Sequence, residues 1–422
     1  MPPDGQPLLF YTGALLCAYV ATQAVLGAVR WRRERAEQRR RSDASAESFR
    51  QLVTKEAAAA AARLSKRLAW EGWRDLRVSA IVDEAAGVKS FYLTDQEGMP
   101  LPRFLPGQYL TVAAPVGDRG EAVSRCYSLS DRPSSDYYRL TVKHQPAPPD
   151  RPDAPPGRAS TWLHEHVAVG DLLPCQAPRG LFFLDPESPK PVVLIGAGVG
   201  ATPILSMLSA IRHSGVAKPT LALLSFRNGG GHLLRDTIEA ARGLRHLRVR
   251  VGYSQPADDD RLGVDYDFAG RATVAALREE LPSNNFDFYL CGPPRFMQTL
   301  VPELLEWGVA DDAIHYEAFG PASVSTPLAS SLTERALGSE VWFRSTGEEP
   351  IAWDGACSSL LDLAERRGVP LTSGCRAGNC GACRVRVLRG KVQPLKSTGV
   401  SIDASECLAC ISLPDGEVLL DA

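Results

Sequence analysis

The chain has 422 residues, 44% of them apolar and 23% charged. That is too long for one hydrophobic core and too apolar for global disorder, so two or three folded domains are expected. The net charge of −2 conceals an asymmetry: in the first 41 residues seven Arg face only Asp4, Glu34 and Glu37, which leaves the remainder at −6 and gives nucleic acid no electrostatic footprint.

Leu8 to Val29 holds no charged residue over 22 positions, and at 1.5 Å per residue a helix there spans about 33 Å, enough for a bilayer core. A single transmembrane helix in 1–30 is expected. A cleaved signal peptide needs positive charge before the apolar stretch, whereas here all the Arg follow it; an interfacial amphipathic helix is the other alternative. The positive-inside rule then puts everything after Arg30 in the cytoplasm, anchored to the membrane. Residues 31–72, with Arg, Glu and the run Ala57 to Ala62 and almost no helix breakers, read as a helical spacer.

Residues 73–185 change character. Short β-type runs at Leu76–Val82, Phe91–Thr94, Tyr109–Ala113 and Tyr138–His144, punctuated by Gly, Pro and Asp, suggest an antiparallel barrel. Gln145 to Gly157, with six Pro, is a surface loop. Over 186–320 apolar strands at Val192–Ile195, Leu221–Phe226, Leu247–Val251 and Phe286–Leu290 alternate with helical segments, the pattern of βαβ units in a parallel α/β sheet. Residues 321–338, rich in Ser, Ala and Thr, read as a linker, and 339–422 form a last domain.

Of the ten Cys, five are scattered singly and five crowd between 375 and 410, which reads as metal ligation in a reducing compartment rather than a disulfide scaffold. Cys375, Cys380 and Cys383, followed by Cys410, have the plant-type [2Fe–2S] ligand spacing, because each of two irons takes two thiolates beyond the bridging sulfides. Small residues between them let the backbone wrap closely and aim N–H groups at sulfur. The alternative is a zinc ribbon on Cys380, Cys383, Cys407 and Cys410, which leaves Cys375 and the small-residue loop without a purpose.

Two further constellations precede this cluster. Gly196, Gly198 and Gly200, then Thr202 and Pro203, follow the strand at Val192 directly, so a backbone can approach a pyrophosphate at a helix mouth; a tight turn without ligand is the alternative. Arg125-Cys126-Tyr127-Ser128 suits a flavin, with Arg125 on a phosphate, Tyr127 over the isoalloxazine and Ser128 hydrogen-bonding near its reactive nitrogen; an edge strand with a solvated charge is the plain alternative.

The order flavin, nicotinamide, cluster resembles the ferredoxin–NADP reductase superfamily, and residues 75 to 320 resemble the reductase portion of flavohaemoglobins. The matching stretches are Phe104-Leu-Pro-Gly-Gln-Tyr109, Arg125 to Ser128, Gly196 to Pro203, Tyr289-Leu-Cys-Gly-Pro293 and Tyr316-Glu-Ala-Phe-Gly320. No globin domain is recognised, so its dioxygenase chemistry is not carried over. The last 85 or so residues resemble plant-type ferredoxins of β-grasp fold, appended as in phthalate-dioxygenase-type reductases.

The resemblance implies that Tyr109, Arg125, Tyr127 and Ser128 hold FAD, that Ser160 supports its pyrophosphate and that Glu317 and Phe319 close over the ring. It places Thr202 and Cys291 beside the nicotinamide of NADH or NADPH, with Gly292 and Pro293 completing that loop; Ser128, Thr202 and Cys291 are the residues expected at the reaction. For Cys291 a buried strand-end thiol is the plain alternative. His144, His164 and His166 are expected to be packing or surface residues. The expected activity is electron transfer from NAD(P)H through FAD and [2Fe–2S] to a one-electron-accepting terminal metalloenzyme such as a desaturase, hydroxylase or oxygenase. A redox sensor that signals to a partner is the alternative.

Overall fold

The computed structural model describes residues 70–116, 122–147, 155–186, 190–319, 334–347, 349–374, 376–378, 381–395 and 402–422, with a few isolated positions. The expected transmembrane helix in 1–30, the spacer up to residue 69, Cys375 and Cys380 lie outside the described residues. Among the described residues no helix is long and apolar enough to cross a membrane. The chain divides into two units, Met1–Leu64 and Ser65–Ala422, and every described strand lies in the second.

The first sheet comprises β1 (Arg74–Ala85), β2 (Val88–Asp95), β3 (Tyr109–Ala114), β4 (Val123–Ser128) and β5 (Tyr138–Lys143), then, after helix α1 (Arg158–Glu165), β6 (Leu172–Cys175). Its order is β4-β3-β6-β1-β2-β5, and the antiparallel bridge Leu129 to Leu140 joins the ends into a barrel. Alternation along the strands turns Leu76, Val78, Phe91, Leu93, Leu110 and Val112 into one apolar core. The short β6 has too little pattern to stand out in the sequence; its place is fixed by pairing with β1 and β3.

The second sheet is β7 (Val192–Ala197), β8 (Thr220–Phe226), β9 (Leu247–Tyr253), β10 (Phe268–Ala269), β11 (Asp287–Gly292) and β12 (Ile314–Ala318), all parallel, in the order β10-β9-β8-β7-β11-β12. Helix α2 (Ala201–Ser214) follows β7, α3 (Arg235–Arg242) follows β8, α4 (Val274–Glu280) precedes β11 and α5 (Pro294–Glu306) follows it. Both faces are covered, so β7 reads Val-Val-Leu-Ile without alternation: Val192 and Leu194 pack on one side, Val193 and Ile195 on the other. Each such aliphatic side chain contributes about 1.5–3 kcal/mol by burial. The strand order reverses between β7 and β11, and in open α/β sheets a ligand crevice forms beyond such a reversal.

The third sheet is β13 (Glu340–Phe343), β14 (Ile351–Ala352), β15 (Arg384–Pro394), β16 (Glu406–Leu408) and β17 (Ser412–Leu420), ordered β14-β13-β17-β15-β16, with helix α6 (Leu360–Arg366) packed on it. Only β13 and β17 run parallel, which fits the β-grasp expectation. Ser359 caps α6 by accepting from the Asp362 N–H. Ala336, inside the stretch expected as linker, is 1% exposed in this domain's core, with Leu332 packed alongside. The low-complexity composition hid these anchors, because small residues suit a core as well as a tether.

Candidate functional site

One cleft of about 180 Å³ draws its walls from all three domains. The barrel supplies Tyr109, Cys126, Tyr127 and Ser128 from β3 and β4 and Thr141 to Lys143 from β5; the parallel sheet supplies Val199, Thr202, Glu317 and Phe319; the cysteine-rich domain supplies Ala377. The structure therefore brings together Tyr109, Tyr127, Ser128, Thr202, Glu317 and Phe319 of the residues singled out in the sequence. Thr141, Lys143 and Gln145 were missed, since nothing in β5 distinguishes a strand that flanks a cleft from any other.

Arg125 shares the face of β4 that carries Tyr127. Its Nη1 donates to the Ser124 carbonyl (2.8 Å), and it makes no ion pair with a carboxylate among the described residues. Burial, then the neighbouring Arg376 guanidinium, lowers its pKa, while Glu365 acts the other way more weakly. Such a half-buried cation suits an anionic ligand group, so Arg125 fits a flavin phosphate. Tyr127 is pushed well above the usual phenol range by burial, which keeps its ring neutral and apolar against a ligand face. Ser160 lies outside the cleft lining: it accepts from the Gln145 N–H (3.2 Å) and donates to the Gly157 carbonyl (2.9 Å), holding the start of α1 beside Gln145.

A second cleft of about 550 Å³ opens beyond the C-terminal ends of the parallel strands, lined by Gly198, Phe226, Ser254 and Pro293 together with Arg227, Arg271 and Arg295. No Asp or Glu lines it, and three guanidinium groups suit the phosphates of a dinucleotide. Arg295 follows the Gly-Pro motif and was legible in principle; Arg271, behind the two-residue β10, was not. Gly198 takes φ 55°, and a Cβ on Gly200 would sit 2.6 Å from Gly292 Cα and 2.7 Å from the Cys291 carbonyl. That close approach of two loops is the reason for glycine at 200, while a Cβ on Gly292 would meet the Phe296 ring at 2.8 Å and Ala197 Cβ at 3.0 Å. Gly196 and Pro203 serve packing instead: Pro203 is buried in the first turn of α2, and a Cβ on Gly196 would meet Ala201 Cα at 2.9 Å.

Thr202 donates to the Val199 carbonyl (2.9 Å) at the mouth of α2. Cys291 and Glu317 sit side by side in the β11–β12 register, both buried. Burial, and secondarily Glu317, raises the Cys291 thiol far above its usual value, so it is an uncharged buried thiol, and it lines neither of the two clefts. His144 and His164 pack α1 on the barrel, through Thr161 and the Val142 carbonyl.

Of the expected cluster ligands, Cys383 and Cys410 are described, and both are buried in the third core. The Gly378 N–H points at Cys410 Sγ (3.3 Å), the donor arrangement that suits a thiolate ligand. Gly378 has φ 74°, and a Cβ there would meet Ile411 at 2.5 Å, so the loop needs glycine to pass this close. Arg376, also left-handed at φ 56°, is held by Glu365 of α6 through a two-bonded ion pair. These features fit a compact cluster wrapped by backbone. Cys407 is buried on β16 opposite Val385.

Residues 194–301 match the family described as oxidoreductase NAD-binding domain, and residues 348–415 match that described as 2Fe-2S iron-sulfur cluster binding domain. A flavohemoprotein of Chromobacterium violaceum is 42% identical over 253 residues, 60% of this chain and 61% of that protein. One of Bordetella pertussis is 37% identical over 276 residues, 65% of this chain and 67% of that one. The crystal structure of the flavohem-like FAD/NAD binding domain of nitric oxide dioxygenase from Vibrio cholerae is 34% identical, superposes with TM-score 0.52, and is covered in full by 60% of this chain. The chain belongs to the ferredoxin–NADP reductase superfamily.

Within that superfamily this reductase is an NAD-binding flavoprotein of the flavohaemoglobin-reductase type, using FAD, NAD(P) and a [2Fe–2S] cluster. It spans 61% and 63% of the length of two flavohemoproteins that it matches. Phthalate dioxygenase reductase, described as a modular structure for electron transfer from pyridine nucleotides to [2Fe-2S], shares the fold over 83% of this reductase and 98% of its own chain, with TM-score 0.54 and 23% identity. The cluster-domain match favours the [2Fe–2S] expectation over the zinc ribbon.

Proposed function

We propose that this chain is an NAD(P)H-dependent reductase that passes electrons through FAD and a [2Fe–2S] cluster to a one-electron-accepting terminal metalloenzyme, such as a desaturase, hydroxylase or oxygenase. The observation that carries the reading is the shared cleft, in which Ala377 of the cysteine-rich loop stands across from Tyr127 and Ser128 of the barrel and Thr202 of the nicotinamide loop. A flavin held by these residues would supply the chemistry that converts a hydride into single electrons.

The chain's own residues bind and orient. Arg125 and Tyr127 hold the phosphate and one ring face, Ser128 offers its hydroxyl at the ring, and Glu317 and Phe319 close the opposite side. The glycine loop and the three Arg of the second cleft take the dinucleotide, while Thr202 and Cys291 flank its nicotinamide. Cys375, Cys380, Cys383 and Cys410 ligate the cluster. Residues 1–30 anchor the protein to the membrane, with the folded domains in the cytoplasm, where a membrane-resident acceptor is within reach.

The test is anaerobic titration of the purified full-length protein with NADH and with NADPH. The flavin absorbance and then the cluster band bleach, and steady cytochrome c reduction follows. Negligible turnover with both bands present would favour a sensor and sink the reductase reading.

A further inference from the structure

The glycine loop leads directly into α2, and Val199 and Thr202 at that junction line the flavin cleft. Thr202, Ser206 and Ser209 fall at i, i+4 and i+7 of α2, one stripe along the helix. Thr202 lines the cleft. Ser206 and Ser209 are buried, and a serine inside a helix usually returns its hydroxyl to its own backbone or to water. Here both hydroxyls leave the helix and reach the barrel at one residue: Ser206 donates to the Asp131 main-chain carbonyl (2.6 Å), and Ser209 donates to Asp131 Oδ1 (3.2 Å).

Asp131 is itself immobilised from the barrel side. The Arg132 N–H donates to Oδ1 (2.7 Å), the Tyr137 hydroxyl donates to Oδ2 (2.9 Å), and Arg139 Nη2 stands 3.6 Å from Oδ2 while donating to the Ser130 carbonyl (2.6 Å). Asp131 follows Ser128 by three residues, so the strand that delivers one cleft hydroxyl leads directly to the anchor of the helix that delivers the other. This contact of α2 with the barrel is thus built from two neutral hydroxyls, one on the main-chain carbonyl and one on the fixed carboxylate of the same residue.

We infer that Asp131, through Ser206 and Ser209, is the positioning residue that sets the nicotinamide loop against the flavin cleft for hydride transfer. The inference rests on the reductase reading above. Holding two reactants in register is worth orders of magnitude in rate, and a misplacement near 1 Å can cost about a hundredfold. A contact serving stability alone would affect melting or FAD content and leave the hydride step untouched.

The experiment uses full-length holoenzyme carrying Ser206→Ala and Ser209→Ala together, studied by anaerobic stopped flow with NADH and NADPH and with their C4-deuterated forms. Expected are full FAD content, a KM close to wild type, a flavin-reduction rate lower by about ten- to a hundredfold, a full deuterium isotope effect on that rate, and a weaker nicotinamide–flavin charge-transfer absorbance. If the double variant loses FAD, Ser209→Ala alone carries the same measurement. An unchanged rate, or a loss that tracks only KM or FAD content, overturns the inference. Wild-type protein that neither nicotinamide reduces would remove the reductase reading, and the clamp with it; a reducible wild type matched by its variants removes only the clamp.

Discussion

Lowering the pH from 7 to 4.5 should loosen the nicotinamide-binding sheet through one residue, His232. It lies just after β8, 4% exposed, stacked on Phe226 at 4.6 Å with Nδ1 2.8 Å from the Tyr253 hydroxyl. Burial, then the Arg235 and Arg242 guanidiniums, brings its pKa from 6.5 down to about 4. Because the folded value is depressed, the unfolded chain binds the extra proton between these limits. Stability is therefore fully present above pH 6.5 and falls as the pH drops toward 4. Over 7 to 4.5 the loss is about 2–3 kcal/mol, at 1.36 kcal/mol per pKa unit. His164 and His315 are shifted the same way, chiefly by burial, but they are shared by any His232 variant and cancel in a comparison. At Asp95 burial is outweighed by the Met99 and Glu97 N–H donors and by Arg74; at Asp267 it is outweighed by Arg242 and the Val251 N–H. Both carboxyls are held below 3.8, so they lose their contribution only beneath this window. Urea unfolding of wild type and His232→Gln at the two pH values, followed by circular dichroism, measures the difference. The variant should show a pH loss smaller by about 2–3 kcal/mol; equal losses would refute the assignment of the effect to His232.

Cys383→Ser and Cys375→Ser should each lose iron and the visible cluster band, Cys407→Ser should keep both, and ferricyanide reduction, which needs only the flavin, should survive in all; zinc without iron in wild type would reverse the assignment. Gly200→Ala forces a Cβ to within 2.6 Å of Gly292 Cα, so nicotinamide affinity should fall at least about tenfold with FAD retained, the overlap costing 1.4 kcal/mol or more, as read by KM and by inhibition with oxidised nicotinamide. Leu194→Ala, at 0% exposure in β7, should cost about 2–5 kcal/mol of stability by leaving a cavity, measured as a shifted urea midpoint. Deleting residues 1–30 should give a soluble enzyme with undiminished artificial-acceptor activity and slower transfer to a membrane partner; loss of flavin would place that segment in the folded core instead.

The architecture was legible where a local pattern is also a structural necessity. The unbroken Val-Val-Leu-Ile of β7 suits a strand covered on both sides, and of the glycines around its end Gly200 is the one that another backbone approaches closely. The Cys spacing likewise carries its own geometry. What stayed hidden depends on partners far along the chain. β6 is a strand because β1 and β3 need a neighbour, and Ala377 reaches the flavin cleft only because a whole domain docks there. Ser206 and Ser209 are ordinary weak helix formers until Asp131, 75 and 78 residues earlier, receives their hydroxyls. Ser160, which the resemblance assigns to the flavin pyrophosphate, has its hydroxyl between the Gln145 N–H and the Gly157 carbonyl, contacts that depend on how the loop folds back on α1.

The rims of the three sheets bear on how the protein tolerates crowding. An exposed strand rim is a row of unsatisfied amides that can recruit another chain, and long flat rims seed aggregation. The barrel has its rims joined through Leu129 and Leu140. The parallel sheet finishes on one side in the two residues of β10, and the last domain finishes in the two residues of β14 and the three of β16. A neighbouring polypeptide finds only two or three amides to bind at each of these rims, too few to extend a sheet from one molecule to the next. These short rims give a second copy little foothold, and the longest edge among them is on the far side of the parallel sheet, which ends in the five residues of β12.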